Sequence, residues 1–407
     1  MAPTPERHAD IRVSHGVTIC GVNFNDLDRN SEATGDQTIV RKSAPRAAMV
    51  APEDWVHTLV IVEGIDPGRR IKVEARPLVL GRKPQCDLVL AEADVSGQHC
   101  EVRSLAGQDA LQVIDLNSTN GSFIDGQAVR GPALLTPGAL LQIGRQVLRH
   151  ELQPRQVAEA ALEFDRDLDK ASGYVQALLP PPLRSAALRA DWVFKPSTRL
   201  GGDGFGYVAL DEHRLAAYVI DVAGHGAGAA MHCVSVLNVL RQRALPHTDF
   251  TDPAQVLSRL NETFPMDNHG GLFFTIWYGV YDAARRVLDF AAAGHHPAYL
   301  RSADGTRLQP LHTRNPIVGG VPPDHHFLAA QVAVEPGSSL YAFSDGVFEI
   351  MTAEGRQWRL ADFLPLIHEA PADRTGEPER LLRRVLACAR PGPLDDDFSL
   401  LLVTFLS

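Results

Sequence analysis

The sequence predicts a multidomain chain: an all-β sandwich, a helical linker, then an α+β domain. Three observations predict it. At 407 residues the chain exceeds the size at which a single core keeps growing, so two or more domains are expected. From Trp55 to about Glu151 short alternating apolar runs are separated by Gly, Pro and Asn turns, the texture of a sandwich. A sustained heptad follows, stops at Pro180-Pro-Pro182, and gives way to interleaved strand-like and helix-like runs as far as Ser407.

Composition narrows the function classes. A hydrophobic fraction of 45% is that of a globular protein. A net charge of -10 argues against nonspecific nucleic-acid binding, which needs a basic face. The five cysteines, Cys20, Cys86, Cys100, Cys233 and Cys388, form no CxxC pair, so neither a zinc site nor a disulfide framework is expected, and a cytoplasmic location fits best. The opening Met-Ala-Pro-Thr-Pro-Glu-Arg lacks an apolar signal core, and the most apolar window is interrupted by Asp221, His225 and glycines, so no membrane span is expected.

Residues 1–52 mix Pro, Gly, Asn, Asp and Ser with few periodic apolar positions and read as a disordered tail, in which Thr34 and Thr38 are candidate kinase targets. The sandwich is expected over 53–151, with strands at Thr58-Leu-Val-Ile-Val62, Arg70-Ile-Lys-Val-Glu74, Leu111-Gln-Val-Ile-Asp115 and Ala139-Leu-Leu-Gln-Ile143. Its loops carry Gly81-Arg82, Ser96-Gly-Gln-His99 and Asn117-Ser-Thr-Asn-Gly121. An arginine beside hydroxyl and amide side chains suits a phosphate, because Arg supplies charge-assisted fork contacts and the others neutral donors. These three signatures resemble the forkhead-associated (FHA) domain, a phosphothreonine-binding sandwich. The resemblance implies that Arg82, Ser96 and Thr119 contact the phosphate, that Asn120 holds the peptide backbone, and that His99 buttresses the loop. The family often has Arg after the first Ser, where this chain has Gly97. A sandwich that only packs or dimerises is the other reading.

The linker is expected over 152–182. Val157, Ala161, Phe164, Leu168, Ala171, Val175 and Leu178 repeat with spacings of 4 and 3, an a/d seam on a helix of about 30 Å. Two readings stay open: residues 157–178 pair with their copy in a homodimer, or the helix lies alone on the catalytic domain.

The last segment, 183–407, is organised around Ala217-Tyr-Val-Ile-Asp-Val-Ala-Gly-His-Gly-Ala-Gly-Ala-Ala230, an apolar strand that ends on an acid, passes through glycines and turns helical. Other acids are placed similarly: Asp203 in Gly201-Gly202-Asp203, Asp345 after Leu340-Tyr-Ala-Phe-Ser, and Asp395-Asp-Asp397 at the mouth of a final apolar run. Four such acids with no basic cluster would repel one another, and hard divalent cations are the usual remedy. GGD, DVAGHG, FSDG and DDF, in this order, resemble the metal-dependent Ser/Thr phosphatases of the protein phosphatase 2C (PPM) superfamily, in its SpoIIE-like branch. Phe274-Thr-Ile-Trp-Tyr-Gly-Val-Tyr-Asp282 and Ala292-Ala-Gly-His-His-Pro297 resemble its intervening strands.

That resemblance implies an αββα sandwich with two Mn²⁺ or Mg²⁺ ions at one end of the central sheets. Asp221 would bridge both ions beside the carbonyl of Val222, Asp345 and Asp396 would complete the first, and Asp203 would support the second, with Asp397 behind them. The ions would activate water for attack on phosphorus without a covalent intermediate. His225 either protonates the leaving alkoxide or caps the following helix. His295 and His296 are expected to shape a turn, and Cys233 to sit in the core. Many members of the branch carry a second Asp where this chain has Gly206.

Two functions follow. One is a phosphoserine/phosphothreonine protein phosphatase steered by an FHA domain that binds a phosphothreonine protein, with an anti-sigma-factor antagonist as the family-level substrate. The alternative is a phosphothreonine-binding adaptor whose phosphatase-like half is weak or inactive, a reading that Gly97 and Gly206 keep open. A diguanylate cyclase, prompted by Gly201-Gly-Asp-Gly-Phe205, fails because no acid precedes Phe205 and Asp345 and Asp396 would have no use.

Overall fold

The computed structural model describes residues 55–64, 66–369, 376–390 and 392–406. The tail expected over 1–52, with Thr34, Thr38 and Cys20, lies outside the described residues. The first half is a sandwich of eleven strands. These are β1 (Trp55–Glu63), β2 (Arg70–Val73), β3 (Leu78–Gly81), β4 (Leu88–Val89), β5 (Cys100–Ser104), β6 (Leu111–Asp115), β7 (Ser122–Ile124), β8 (Gln127–Ala128), β9 (Ala133–Leu135), β10 (Leu140–Ile143) and β11 (Gln146–Pro154). One sheet runs β2-β1-β11-β10-β7-β8 and the other β4-β3-β5-β6-β9. Leu59, Ile61, Leu80, Val102, Val113, Leu141 and Leu148 meet between them. The period of two is plain in β10, where Leu141 and Ile143 are buried while Leu140 and Gln142 face outward. β11 runs three residues beyond Glu151 because its pairing with β1 continues to Trp55↔Pro154.

Helix α1 (Arg155–Leu178) starts directly after that pairing and ends two residues before the prolines 180–182, which cannot continue a helix. It touches β1, β2 and β11 of the sandwich at one end and α2 (Ala227–Gln242) of the next domain at the other, so it lies on both halves of the chain. The stripe it buries is Ala158 and Asp165, next to the heptad seam. On the seam, Val157 is 53% and Phe164 63% exposed.

The rest forms four layers. The remaining elements are β12 (Leu183–Arg184), β13 (Leu188–Lys195), β14 (Asp203–Ala209), β15 (Arg214–Val222), α3 (Pro253–Thr263), β16 (Phe274–Asp282), β17 (Val287–Ala293), β18 (Ala298–Arg301), β19 (Leu308–Leu311), β20 (Ala330–Ala333), β21 (Ser339–Phe343), α4 (Leu360–His368), α5 (Glu377–Cys388) and β22 (Phe398–Phe405). They build the sheets β12-β13-β22-β21-β18-β19 and β14-β15-β16-β17-β20. Phe205, Val219, Trp277, Phe290, Leu401 and Phe405 fill the seam between the sheets. Ile220, Cys233, Leu237, Leu257 and Tyr278 pack α2 and α3 on one outer face, while Tyr341, Phe343, Phe363, Leu381 and Leu400 pack α4 and α5 on the other. This is the αββα arrangement, and it explains the apolar run 400–403 within β22: Leu401 and Val403 face the sheet opposite while Leu400 and Leu402 face helices. Among the described residues no helix is long and apolar enough to cross a membrane.

Candidate active site

Strand parity aims the acids. In β15, Ala217 and Val219 point into the seam between the sheets, so Asp221, two residues on, stands at the end of that seam. Asp203 is its partner across the ladder and shares parity with Phe205, so it also faces the seam. Asp203 opens β14 instead of ending a strand, unlike the placement expected of it. Asp345 follows β21 in a short 3-10 turn, and Asp396 precedes β22, the neighbour of β21.

The four carboxyls sense burial and one another. Asp203 is 3% exposed, and burial, Asp221 and Asp397 push it well above the ordinary carboxylate range, although Ser399 Oγ donates to its Oδ2 at 2.8 Å. Asp221 is pushed up to about 7 by burial and then by Asp345, Asp396, Asp397 and Glu349. Burial, Asp396 and Glu349 push Asp345 up to about 6. Asp396 is raised mainly by burial. Glu349 escaped the sequence reading. It stands one turn beyond Asp345, whose carbonyl accepts from the Glu349 N–H at 2.7 Å, and that spacing of four was the available signal.

Asp397 and Asp395 do different work. Asp397 Oδ1 accepts from Ser197 N at 2.7 Å and Ser197 Oγ at 2.9 Å, and its Oδ2 accepts from Asp203 N at 3.3 Å. Both of its oxygens therefore hold the loop that delivers Asp203. A Cβ at Gly201 would collide with Asp397, and one at Gly202 would lie 2.8 Å from the Val222 carbonyl, so both glycines are needed for close approach. Asp395 pairs with Arg390 and accepts from Met351 N at 3.2 Å, and its charge also helps to raise Asp396.

His225 is exposed between Gly224 and Gly226, whose φ values of 89° and 87° only glycine adopts easily. Gly226 caps α2 with no side-chain hydrogen bond, so the capping role weighed for His225 is absent. His225 lies close enough to Asp396 to lower that acid's pKa electrostatically. His295 and His296 direct Nδ1 to the carbonyls of His296 and Pro297 and so shape the expected turn, and Cys233 is fully buried. Gly206 faces the helices, where a Cβ would come 2.5 Å from the Tyr218 hydroxyl, so the missing acid of this position would not face the seam.

Among the described residues no set of three or more His, Cys, Asp or Glu side chains stands ready-arranged around a metal ion. The chemistry of the donor set still suits one. Mutually repelling carboxylates beside a backbone carbonyl make an all-oxygen site of the kind hard divalent cations take.

On the sandwich, three loops converge. Thr119 N donates to Ser96 Oγ at 2.9 Å, and Arg82 N donates to the Ser96 carbonyl at 2.9 Å. His99, fully buried, accepts at Nδ1 from Ser96 N at 3.0 Å and donates from Nε2 to the Gly121 carbonyl at 3.1 Å, the buttress expected of it. Asn120 Nδ2 is engaged by the Asp94 carbonyl at 2.8 Å. Lys83 lies across Gly97: a Cβ there would stand 2.8 Å from Lys83 Cε.

Residues 211–406 match the family described as Stage II sporulation protein E (SpoIIE), and residues 78–144 match the FHA domain family. The chain is 30% identical over 192 residues to phosphoserine phosphatase RsbP of Bacillus subtilis, 46% of this chain and 46% of that protein. It therefore spans about half the length of that relative. It is 31% identical over 124 residues to FHA domain-containing protein FhaB of Mycolicibacterium smegmatis, 30% of this chain and 77% of FhaB. Among solved structures, the SiaA-PP2C domain of Pseudomonas aeruginosa is similar in fold, with a TM-score of 0.54 and 21% identity over 61% of this chain and 100% of that one.

Proposed function

The chain carries a forkhead-associated domain followed by a SpoIIE-type PP2C phosphatase domain, and from that premise we propose that it removes phosphate from phosphoserine or phosphothreonine in a protein substrate. The observation that carries the reading is the set of four mutually repelling carboxyls, Asp203, Asp221, Asp345 and Asp396, gathered at one end of the seam between the sheets. Asp221, the Val222 carbonyl, Asp345 and Asp396, with Asp203, would hold two Mn²⁺ or Mg²⁺ ions. When bound, such ions activate water and neutralise the phosphoryl oxygens. Asp397 keeps the Asp203 loop in place, and His225, exposed beside Asp396, carries the proton for the leaving alkoxide. Arg82, Ser96 and Thr119 bind a phosphothreonine protein and so bring substrate or regulator to the chain. An anti-sigma-factor antagonist is the substrate class that the family relation favours.

Asp221→Asn keeps the size of the side chain and removes its charge, so metal-dependent hydrolysis of an aryl phosphate should fall by several orders of magnitude. Asp211→Asn, on an exposed turn where that acid caps the His213 and Arg214 amides and pairs with the Arg214 guanidinium, should leave the rate unchanged. Wild-type turnover in Asp221→Asn would refute the catalytic reading. The adaptor reading draws on the absence of a ready-made metal cage among the described residues, and a wild-type chain with no metal-dependent turnover would favour it.

A further inference from the structure

One loop, residues 196–202 between β13 and β14, ties the acid site to the rest of the chain. Its two ends are fixed to the site. Ser197 and Asp203 donate to Asp397, and the Gly202 carbonyl accepts from Val222 N at 3.3 Å. Its middle is held elsewhere. Arg199, with its side chain only 14% exposed, places Nη1 at 3.0 Å from Asp165 Oδ1 and donates to the Asp165 carbonyl at 3.3 Å, while its Nε lies 3.5 Å from Asp66 Oδ1. Asp165 is a buried residue of α1, and its Oδ2 accepts from Arg70 N at 3.3 Å with the Arg70 guanidinium 3.7 Å from Oδ1. Asp66 and Arg70 flank the β1–β2 turn of the FHA sandwich. Asp169 of α1 adds a third acid, its Oδ1 3.9 Å from Arg199 Nε, so three acids and two arginines join the sandwich, the linker helix and the loop that carries Asp203.

We propose that Arg199 is a positioning residue, and that its clasp on Asp165 makes the placement of the Gly201-Gly202-Asp203 loop depend on how α1 is seated against the FHA sandwich. Separating the clasp would take a largely buried guanidinium away from a largely buried carboxylate, which is strongly unfavourable. The loop is short, and close contacts already hold Gly201 and Gly202, so it has little slack in which to absorb a shift of Arg199. A helix that moves on the sandwich therefore moves Ser197 and Asp203 as well. The clasp rests on the proposed phosphatase function only for its consequence in turnover, not for its geometry.

The test is hydrogen exchange on the full-length, metal-free chain, read at the amides of Ser197, Asp203 and Val222, together with Mn²⁺-dependent turnover of an aryl phosphate. Arg199→Gln and Asp165→Asn should each speed exchange there severalfold and lower kcat by about tenfold or more at unchanged KM. The double variant should cost less than the two singles summed, since both break the Arg199–Asp165 link that they share. Arg199→Lys, which keeps the charge, should recover part of the loss. Lys170→Gln, which removes a 77% exposed cation from the same helix, should change nothing. Wild-type exchange at these amides in Arg199→Gln overturns the clasp whatever the turnover. If instead the wild-type chain shows no metal-dependent turnover, the phosphatase reading falls, and exchange alone decides on the clasp.

Discussion

Gly97 leaves a gap beside Ser96, and the methylene chain of Lys83 lies across it. The family arginine of that position would occupy the same space, so Lys83 is expected to bring the second cation to the phosphothreonine site proposed at Arg82. A charge-assisted contact of this kind contributes about 1.5–3 kcal/mol, so Lys83→Ala should weaken a phosphothreonine peptide by about tenfold or more. Arg82→Ala should abolish binding, and Gly97→Arg should gain affinity only when combined with Lys83→Ala. Fluorescence anisotropy with a labelled peptide reads all four, and unchanged affinity in Lys83→Ala would remove the idea. At this scale the acids were legible in sequence because each stands beside an apolar run. Glu349 was not, because it joins the cluster through one turn. Asp397 was expected behind the other acids, but its bonds to Ser197 were not legible, because they span two hundred positions of sequence.

Helix α1 shows where periodicity informs and where it misleads. The heptad marks an apolar seam, and Val157 and Phe164 on it do stay exposed. What the pattern could not give is the buried stripe beside it, since Asp165 reads as a surface charge until Arg70 and Arg199 close over it from different domains. The other seam positions, among them Leu168 and Val175, are half-buried, and with Val157 and Phe164 exposed the chain is expected to dimerise through residues 157–178. Phe164→Glu with Leu168→Glu should give monomers, because a and d positions do not bury charge cheaply. Light scattering decides: a wild-type chain that is monomeric at tens of micromolar rules the dimer out.

At the scale of the whole molecule, strands and turns were legible, but their layering depends on pairings between distant segments, such as β13 with β22, that no local pattern encodes. Only the family resemblance supplied the four layers. The layering gathers acids at one end of the seam, and this sets how the fold responds to pH. Asp221 and Asp345 are raised to about 7 and about 6 from an ordinary 3.8. A carboxyl that holds its proton more tightly when folded favours folding at low pH, and that contribution fades as pH rises from about 4 through the folded values. As pH rises through these two values Asp345 and Asp221 ionise and the metal-free site gathers repelling charge, and below about pH 5.5 both are largely protonated and bind cations poorly. Mn²⁺ at a hundred times its Kd should stabilise the phosphatase domain by about 2.7 kcal/mol, or roughly 5–10 °C in Tm, at pH 8 and by much less at pH 5.5. Asp221→Asn should flatten this difference because it removes the acid with the most acidic neighbours. Calorimetry at the two pH values with and without Mn²⁺ measures it, and equal metal shifts at both would show that these carboxylates do not hold the ion.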